Sequence, residues 1–314
     1  TFVKKLMQVS IVGYSSIVSR KVIPALMKFK DIKKINIFTR RSKFLSEQVN
    51  SDTMLNFLDI NELLNFSRSN NSIFYYISTE NYNHFYFSNI LLNEKQNIIV
   101  DKPIALNSND LYILLKSAER NKCFIGEALT WEYHKQLNYL KDFLERNKKF
   151  RVKTSFTIPL PKEGSFRVNN KNGSGVFWDM STYLFSTLEI LNISEVSISF
   201  SKNIGSFNPQ WILARSKSEE IKFEGIYGFG LNYQNSLELI SDNEIIRFER
   251  IYTSDPKVPV SIYKINNKKF NHIEELDDAF YNYFAHVKNL IIKKELVSES
   301  VKFYNLYKKI FKTL

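Results

Sequence analysis

Apolar and polar positions in the first third of the chain alternate between strand-like runs and helical periods. Residues 6–12 form a short apolar run typical of a buried strand, and after Gly13 apolar residues recur at helical spacing from Val18 to Phe29. The same alternation continues through strand-like runs and helical stretches at residues 34–38, 73–77, 81–93, 98–100 and 110–121. Strands that alternate with helices predict right-handed crossovers and a parallel sheet. We therefore expect a doubly wound α/β domain over residues 1–121.

The pattern changes after residue 122. One more strand and helix are expected at 123–126 and 131–146, and longer strand-like segments follow at 150–158, 196–201, 219–228, 236–240 and 244–252. Turn-forming residues such as Ser241-Asp242-Asn243 join several of these segments, which favours antiparallel pairing. Helices are expected at 174–191, 274–294 and 298–311. These elements predict a second, α+β domain over residues 122–314 with an open, mainly antiparallel sheet.

Composition narrows the functional classes. The chain has 314 residues, 44% of them apolar, so two domains of ordinary size can each bury a core. Its one cysteine and four scattered histidines predict no disulfide and no metal site, and fit a cytoplasmic protein. No apolar run reaches transmembrane length, and residues 6–12 are interpreted as a strand rather than a signal peptide. The net charge of +12 is spread without a basic stripe, so nucleic-acid binding is not expected, although phosphate-bearing substrates would be favoured.

The turn that begins at Gly13 is the first candidate site. It lies where the first strand becomes the first helix, the place where dinucleotide phosphates meet backbone N–H groups and the positive end of a helix dipole. The stretch Gly13-Tyr14-Ser15-Ser16-Ile17 keeps only the first of the three glycines of the dinucleotide fingerprint. An ordinary tight turn is therefore the alternative interpretation.

The end of the second strand carries Thr39, Arg40 and Arg41, where an NAD-binding domain usually offers an acidic residue to the ribose. A guanidinium suits the 2′-phosphate of NADP, which a carboxylate would repel. The sequence thus favours NADP(H) over NAD(H) as the cofactor, and NAD(H) stays possible. The alternative is that both arginines open a solvated helix, which Ser42 would cap.

Lys102 follows the strand-like run at 98–100 directly, with Asp101 before it and Pro103 after it. This position corresponds to the carboxyl edge of the sheet, where ligands of such folds bind. A lysine there can hydrogen-bond a substrate hydroxyl or carbonyl and stabilise the charge that develops during hydride transfer. Pro103 would stiffen the backbone beside it.

These motifs together resemble the Gfo/Idh/MocA family of oxidoreductases. The resemblance covers almost the whole chain and is carried by matching stretches, in chain order: Gly13-Tyr14-Ser15-Ser16-Ile17, Ser78-Thr79-Glu80-Asn81 with His84, Asp101-Lys102-Pro103, Glu127-Ala128 with Trp131 and His134, Phe166-Arg167, Gly173 to Tyr183, and Glu244 to Pro256. The Lys-Pro element and the Asp-to-Tyr helix are its most specific parts. Two positions depart from the family pattern, since Glu80 and Glu132 stand where Pro and Arg are usual.

The resemblance implies roles for individual residues. Tyr183 stands where the sugar-acting branch of the family has its proton donor or acceptor, Lys102 stands beside it, and Asp179 holds substrate. Asp179 and Tyr183 are four residues apart, so a helix presents both on one face. Arg167 is a candidate for substrate binding. The cofactor is expected to meet Gly13, Tyr14, Ser15, Ser16, Ile17, Thr39, Arg40, Arg41, Ser78, Thr79, Asn81, His84, Asp101 and Lys102.

The family also implies a domain arrangement and a reaction. An NAD(P)-binding Rossmann domain is expected over residues 1–121, and a substrate-binding and dimerisation domain over 122–314. The function expected is an NADP-preferring oxidoreductase that moves hydride between nicotinamide and a sugar-like carbonyl or alcohol, with a nucleotide-linked sugar as one candidate. The alternatives are a dihydrodiol or free-sugar dehydrogenase and a cofactor-binding scaffold without turnover. A homodimer is the expected assembly.

Overall fold

The computed structural model describes residues 7–42, 48–50, 53–168, 173–200, 210–216, 218, 220–266, 269–295 and 305–312. The chain divides into two compact units, which we call the first unit (residues 1–128 with 280–308) and the second unit (residues 129–279 with 309–314). No helix among the described residues is long and apolar enough to cross a membrane.

The first unit is built on a seven-stranded sheet. Its strands are β1 (Met7–Val12), β2 (Ile32–Thr39), β3 (Gln48–Asn50), β4 (Thr53–Asp59), β5 (Tyr75–Ile77), β6 (Ile98–Val100) and β7 (Ile125–Glu127). They lie in the order β3-β4-β2-β1-β5-β6-β7, and all pairs except β3–β4 are parallel. The doubly wound parallel sheet expected from the alternating pattern is confirmed.

Helices follow the strands of the first unit. They are α1 (Ile23–Leu26), α2 (Leu63–Ser69), α3 (His84–Asn93), α4 (Ser108–Asn121) and, from the end of the chain, α7 (Ala279–Lys293) and a helix at 305–312. A π-helical turn, Val18–Val22, precedes α1, and Ile23 N donates to Val18 O. Pro24 has no N–H to donate to the carbonyl of Arg20, which accounts for the wider turn.

The second unit contains an eight-stranded sheet. Its strands are β8 (Phe150–Ile158), β9 (Val196–Phe200), β10 (Gln210–Ser216), β11 (Ile221–Phe229), β12 (Gln234–Ile240), β13 (Glu244–Glu249), β14 (Val260–Asn266) and β15 (Lys269–Glu275). The order is β15-β14-β13-β12-β8-β11-β10-β9, with β8 and β11 parallel and the other neighbours antiparallel. The helices are α5 (Gln136–Arg146) and α6 (Val176–Ile190), and α6 packs against β10 and β11. The α+β architecture with a mainly antiparallel sheet is confirmed.

Several element boundaries differ from those expected. Residues 274–275 belong to β15 rather than to the following helix, and residues 130–133 form a separate 3-10 turn before α5. The strands β3, β4, β10, β14 and β15 were not expected. The helix that Ser42 was expected to cap would begin at residues 43–47, outside the described residues, and the chain then forms the hairpin β3–β4.

The first unit ends at Ala128 rather than at residue 121. Residues 125–127 form β7, and Val100 of β6 pairs with Glu127, so this strand completes the parallel sheet. The last part of the chain returns to the same unit, because Tyr283 of α7 donates a hydrogen bond of 2.8 Å to the main-chain oxygen of Glu127.

Candidate active site

The carboxyl ends of adjacent parallel strands lie in register at one edge of the first sheet. The N–H that follows one strand donates to the last carbonyl of its neighbour, as from Ser78 to Val12 (2.8 Å) and from Asp101 to Ile77 (2.9 Å). β1 lies between β2 and β5, where the order of the strands reverses along the sheet. Ligands of open α/β sheets bind at such a switch point.

Gly13 occupies this switch point in a conformation that requires glycine. Its φ is +96°, and a Cβ at this position would lie 2.3 Å from the carbonyl oxygen of Ser78. The backbone N–H of Gly13 donates to Phe38 of β2 at 2.8 Å. Glycine is required because the loop after β5 passes directly against this backbone, and the turn, which we call the glycine cradle, lies where the pyrophosphate of a dinucleotide binds in such folds.

A chain of hydroxyl groups ties the Gly13 turn to the loop after β6. Ser15 Oγ lies 2.8 Å from Ser78 Oγ and accepts a hydrogen bond from Val18 N at 3.3 Å. Ser78 Oγ donates to one carboxylate oxygen of Asp101, and the hydroxyl of Tyr76 donates to the other. The two serines therefore have fixed positions, and Asp101 is held by hydroxyl groups of its own unit.

The remaining residues of the turn lie closer to solvent. The ring of Tyr14 meets Phe57 edge-on, with centroids 5.4 Å apart, and Ile17 is half-buried. Ser16 is exposed, and its hydroxyl accepts from Nε of Arg20 at 2.9 Å. Sequence reasoning did not select Arg20, although an arginine one helical turn beyond an exposed serine is a signal for this contact. Arg20 adds a guanidinium to the first turn of the helix.

Arg40 and Arg41 are exposed at the end of β2, while Thr39 is buried. The hydroxyl of Thr39 accepts from Arg41 N at 3.2 Å, which fixes the main chain there. Among the described residues, neither guanidinium has a carboxylate partner. Two positive groups thus remain available to an anion at the carboxyl end of β2.

His84 joins the two loops that flank the expected nicotinamide position. Its ring is fully buried, with Nδ1 2.8 Å from the carbonyl oxygen of Pro103 and Nε2 3.1 Å from that of Thr79. Burial lowers the pKa of His84 below its ordinary value. Lys102 itself is half-buried, and Asn81 is buried at the start of the following 3-10 turn.

The second unit carries the other group of expected residues on α6. Asp179 is buried and Tyr183 is half-buried, one helical turn apart. Arg167 Nε donates to Asp179 Oδ2 at 3.0 Å, and its guanidinium lies 5.1 Å from the ring centroid of Phe166. The charge of Asp179 raises the pKa of Arg167, so this guanidinium stays protonated.

Aromatic packing fixes the ring of Tyr183. Phe156 meets it edge-on at a centroid distance of 4.9 Å, and Tyr252 lies 5.5 Å away at a tilt of 59°. Both partners are buried, so the ring has a rigid wall on this side. The sequence identified Tyr183 but gave no sign of this wall, because Phe156 and Tyr252 lie far from it along the chain.

Behind Tyr183 lies a buried cluster of hydroxyl groups that sequence reasoning did not find. The hydroxyl of Tyr252 is 2.6 Å from Thr154 Oγ1, 3.0 Å from Thr187 Oγ1 and 3.0 Å from the hydroxyl of Tyr227. Burial raises the pKa of both tyrosines, so both stay protonated. The cluster anchors α6 to β8 and β11.

The structure therefore assembles the expected residues in two groups. The Gly13 turn, Ser78, Asp101 and Lys102 belong to the first unit, together with Arg40 and Arg41. Arg167, Asp179 and Tyr183 belong to the second unit.

This fold and this cradle define an oxidoreductase that uses a nicotinamide dinucleotide. The model of the oxidoreductase family with an NAD-binding Rossmann fold (Gfo/Idh/MocA) matches residues 7–128. The NAD-binding domain of the Gfo/Idh/MocA oxidoreductases is thus matched over residues 7–128, and the chain is an NAD(P)-dependent oxidoreductase. No curated protein sequence matches the chain significantly.

Solved structures share the whole fold at low sequence identity. KijD10, a 3-ketoreductase from Actinomadura kijaniata solved with NADP and TDP-benzene, is 15% identical with a TM-score of 0.83, over 97% of this chain and 95% of that one. The aldose-aldose oxidoreductase from Caulobacter crescentus is 10% identical with a TM-score of 0.79, over 98% and 96% of the two chains. The oxidoreductase yvaA from Bacillus subtilis is 11% identical with a TM-score of 0.72, over 98% and 96%.

Proposed function

We propose that this protein is an NADP-preferring oxidoreductase that transfers hydride between nicotinamide and a sugar-like carbonyl or alcohol, with a nucleotide-linked ketosugar as the first candidate substrate. The observation that carries the proposal is the carboxyl edge of the first sheet. Three groups lie at the ends of strands of this sheet: the glycine cradle after β1, Arg40 and Arg41 after β2, and Lys102 after β6. The dinucleotide, when bound, supplies or accepts the hydride.

Arg40 and Arg41 support the preference for NADP. The 2′-phosphate is the only group that distinguishes the two cofactors, and it lies at the ribose beyond the second strand of such domains. Two exposed guanidinium groups without acidic partners among the described residues match a phosphate in charge and hydrogen-bond geometry. KijD10 was solved with NADP, which agrees with this assignment.

Tyr183 is proposed as the group that exchanges a proton with the substrate oxygen. A carbonyl that receives hydride becomes an alkoxide and needs a proton, and a tyrosine hydroxyl can supply it as general acid. Lys102 is proposed to stabilise the negative charge that develops on the substrate oxygen. The aromatic wall of Phe156 and Tyr252 holds the ring, so the hydroxyl keeps one direction.

Arg167 and Asp179 are proposed to bind and orient the substrate. Their ion pair offers a partly exposed guanidinium on a buried carboxylate, and Phe166 stacks against it. Such a paired arginine can bind a sugar hydroxyl or a phosphate without leaving an isolated buried charge. KijD10 was solved with TDP-benzene, which supports a nucleotide-linked sugar.

The same experiment distinguishes two alternative functions. A dihydrodiol or free-sugar dehydrogenase would use the same residues on a smaller substrate. A scaffold that binds the dinucleotide without turnover is favoured only by the missing glycines, since Ser15 and Ser16 follow Gly13 in the phosphate turn.

We test the proposal by measuring NADPH binding and substrate-dependent NADPH oxidation with a panel of TDP-linked ketosugars, free sugars and dihydrodiol oxidation products. We expect Tyr183→Phe to keep NADPH affinity and to lose roughly 100-fold or more in turnover, because the general acid is removed. Tyr139→Phe, which removes a hydroxyl from a half-buried tyrosine of the second unit, is the matched control.

The panel also separates the alternatives. Binding of NADPH without oxidation by any member identifies the scaffold, and turnover of only free sugars or dihydrodiol products identifies the smaller substrate class. Turnover that survives in both Tyr183→Phe and Lys102→Ala would contradict the catalytic assignment.

A homodimer is proposed to form through the exposed face of the second sheet. One row across five adjacent strands carries charges of alternating sign, Arg215, Glu224, Lys153, Glu238 and Arg247. A two-fold interface needs a surface that is complementary to itself, and a row of alternating charges meets this condition when two copies are offset by one strand.

A further inference from the structure

The end of the chain contributes a buried tyrosine to the loop that carries Lys102. Residues 305–312 are helical, and Tyr307 is fully buried within the first unit. Its hydroxyl oxygen lies 2.7 Å from the backbone nitrogen of Ile104, only two residues beyond Lys102. The same hydroxyl donates to Oε1 of Glu127.

Glu127 receives a second hydrogen bond, this one from the loop that carries Lys102. Ile104 N lies 3.0 Å from Glu127 Oε1, so this N–H is shared between the carboxylate and the tyrosine oxygen. Glu127 is 1% exposed and is the last residue of β7, directly beside Val100 of β6. Glu127, Tyr307 and Ile104 N thus form a closed triangle at the base of the Lys102 loop.

The surroundings of Tyr307 keep its hydroxyl protonated. Burial, followed by the negative charge of Glu127, raises the pKa of Tyr307 well above its ordinary value. Tyr307 therefore stays protonated, and Oε1 of Glu127 accepts from both its hydroxyl and the N–H of Ile104. These hydrogen bonds hold the three groups together.

The other backbone and side-chain groups around Lys102 are held as well. The carboxylate of Asp101 accepts from Tyr76 and Ser78, and the carbonyl of Pro103 meets Nδ1 of His84 at 2.8 Å. The residues before and after Lys102 therefore have fixed positions. The Glu127–Tyr307 pair holds the C-terminal end of this segment, through the backbone nitrogen of Ile104.

We propose that Glu127 and Tyr307 are positioning residues, which hold Ile104 and thereby set the direction in which Lys102 presents its ammonium group. The catalytic importance of that direction rests on the function proposed above, whereas the effect on Lys102 itself does not. The helix at 305–312 thus contributes to the proposed site through the contact of Tyr307 with Ile104, which no sequence motif near Lys102 predicts.

The test measures Lys102 directly and turnover separately. The reactivity of Lys102 is followed by trace acylation with acetic anhydride over a pH series and mass spectrometry of the full-length protein, with exposed Lys116 of α4 as the internal reference. For Tyr307→Phe, which removes one buried hydrogen-bonding group and keeps the ring, we expect the acylation rate of Lys102 to change roughly fivefold relative to Lys116. Its titration midpoint should also shift.

Kinetics of the same variant report the consequence for the reaction. We expect kcat to fall roughly tenfold while the dissociation constant of NADPH changes by less than about twofold, as for an interaction that matters in the transition state. Tyr75→Phe, which removes the hydroxyl of an equally buried tyrosine in β5, should leave both readouts as in the wild type. Glu127→Gln keeps the size and an acceptor oxygen, and should give an intermediate effect.

The outcomes separate the two proposals. Unchanged Lys102 reactivity in Tyr307→Phe and Glu127→Gln overturns the positioning role, even if both variants melt at a lower temperature. If the acylation rate of Lys102 changes in these variants but the wild-type protein oxidises NADPH with no member of the substrate panel, the positioning role is supported and the proposed function is contradicted. If Tyr307→Phe does not fold, Glu127→Gln decides by the same criterion.

Discussion

Arg40 and Arg41 are the two side chains to which we assign the choice between cofactors that differ by one phosphate. They stand exposed after β2, and Thr39 fixes the backbone between them and the strand. A charge-assisted hydrogen bond to phosphate is about twice as strong as a neutral one. The cofactor preference should therefore reside in these two guanidinium groups.

Replacing both arginines by alanine should weaken NADPH binding and leave NADH binding unchanged. We expect the dissociation constant of NADPH to rise roughly 10- to 100-fold, the effect of losing one or two charge-assisted contacts. Fluorescence titration with each dinucleotide measures both constants. Arg68→Ala is the control, since Arg68 is an exposed arginine of the same unit that pairs with Glu94 at 3.1 Å. Equal losses for NADPH and NADH would show that the arginines do not read the 2′-phosphate.

Single residues differed in how far the sequence revealed their roles. The sequence was enough to select four residues, because each directly follows a predicted strand or lies on one face of a predicted helix: Gly13, Lys102, Asp179 and Tyr183. The partners of Asp101 and His84 could not, since hydrogen bonds from Tyr76, Ser78 and the loop carbonyls depend on how strands are brought side by side. The functional assignment of all these residues stays a prediction.

The glycine turn is the element on which we expect cofactor binding to depend most. Ser15 and Val18 stand where the fingerprint has its later two glycines, yet the first glycine is irreplaceable because the carbonyl of Ser78 occupies the space of a Cβ. Ser15 meets Ser78 by a hydrogen bond, so the serine that departs from the fingerprint contributes to the shape of the turn. Short polar side chains thus replace glycine where space allows.

Gly13→Ala should disrupt this turn much more than an equivalent change elsewhere. We expect it to abolish NADPH binding and to cost about 1–3 kcal/mol of stability, because the turn must shift to relieve the contact and the positive φ is strained. Gly164→Ala is the matched control, since Gly164 has a φ of +80° but open space around the position of a Cβ. Thermal melting and NADPH fluorescence compare the two variants. A Gly13→Ala protein that binds NADPH like the wild type would contradict the role of the cradle.

Periodicity predicted the parallel strands and α6 well, because each has one environment along its length. It failed at the edge strand β15, where exposed residues such as Phe270 and His272 give no apolar face. It also missed β4 and β14, although Val260 and Ile262 of β14 are buried at alternate positions. Edge strands take their structure from the neighbouring strand rather than from burial. Helical periodicity also did not reveal the π-helical turn before α1, which follows from Pro24.

At the scale of the whole molecule, the chain crosses three times between its two units. The first unit binds residues 280–308 back onto a sheet that is built from residues 7–128, and Tyr283 and Tyr307 both contact Glu127. Contacts over such sequence distances are invisible to local patterns. The family resemblance supplied the order of the domains, and the structure adds the return of the C-terminal helices.

The distribution of residues also explains why the fold alone does not name the substrate. The first unit carries the cofactor residues, which the family model covers, while Arg167, Asp179 and Tyr183 lie in the second unit, beyond residues 7–128. Solved structures resemble the whole chain at 10–15% identity, which defines the fold of the second unit but not its ligand.

Transfer of deuterium from C4 of labelled NADPH to the product tests the central claim most directly. With a TDP-linked ketosugar as substrate, we expect mass spectrometry to find one deuterium on the newly formed carbinol carbon. With Tyr183→Phe, we expect the same labelled product to form roughly 100-fold or more slowly than with the wild-type protein. A wild-type protein that binds NADPH but yields no deuterated product from any member of the sugar and dihydrodiol panel would contradict the account.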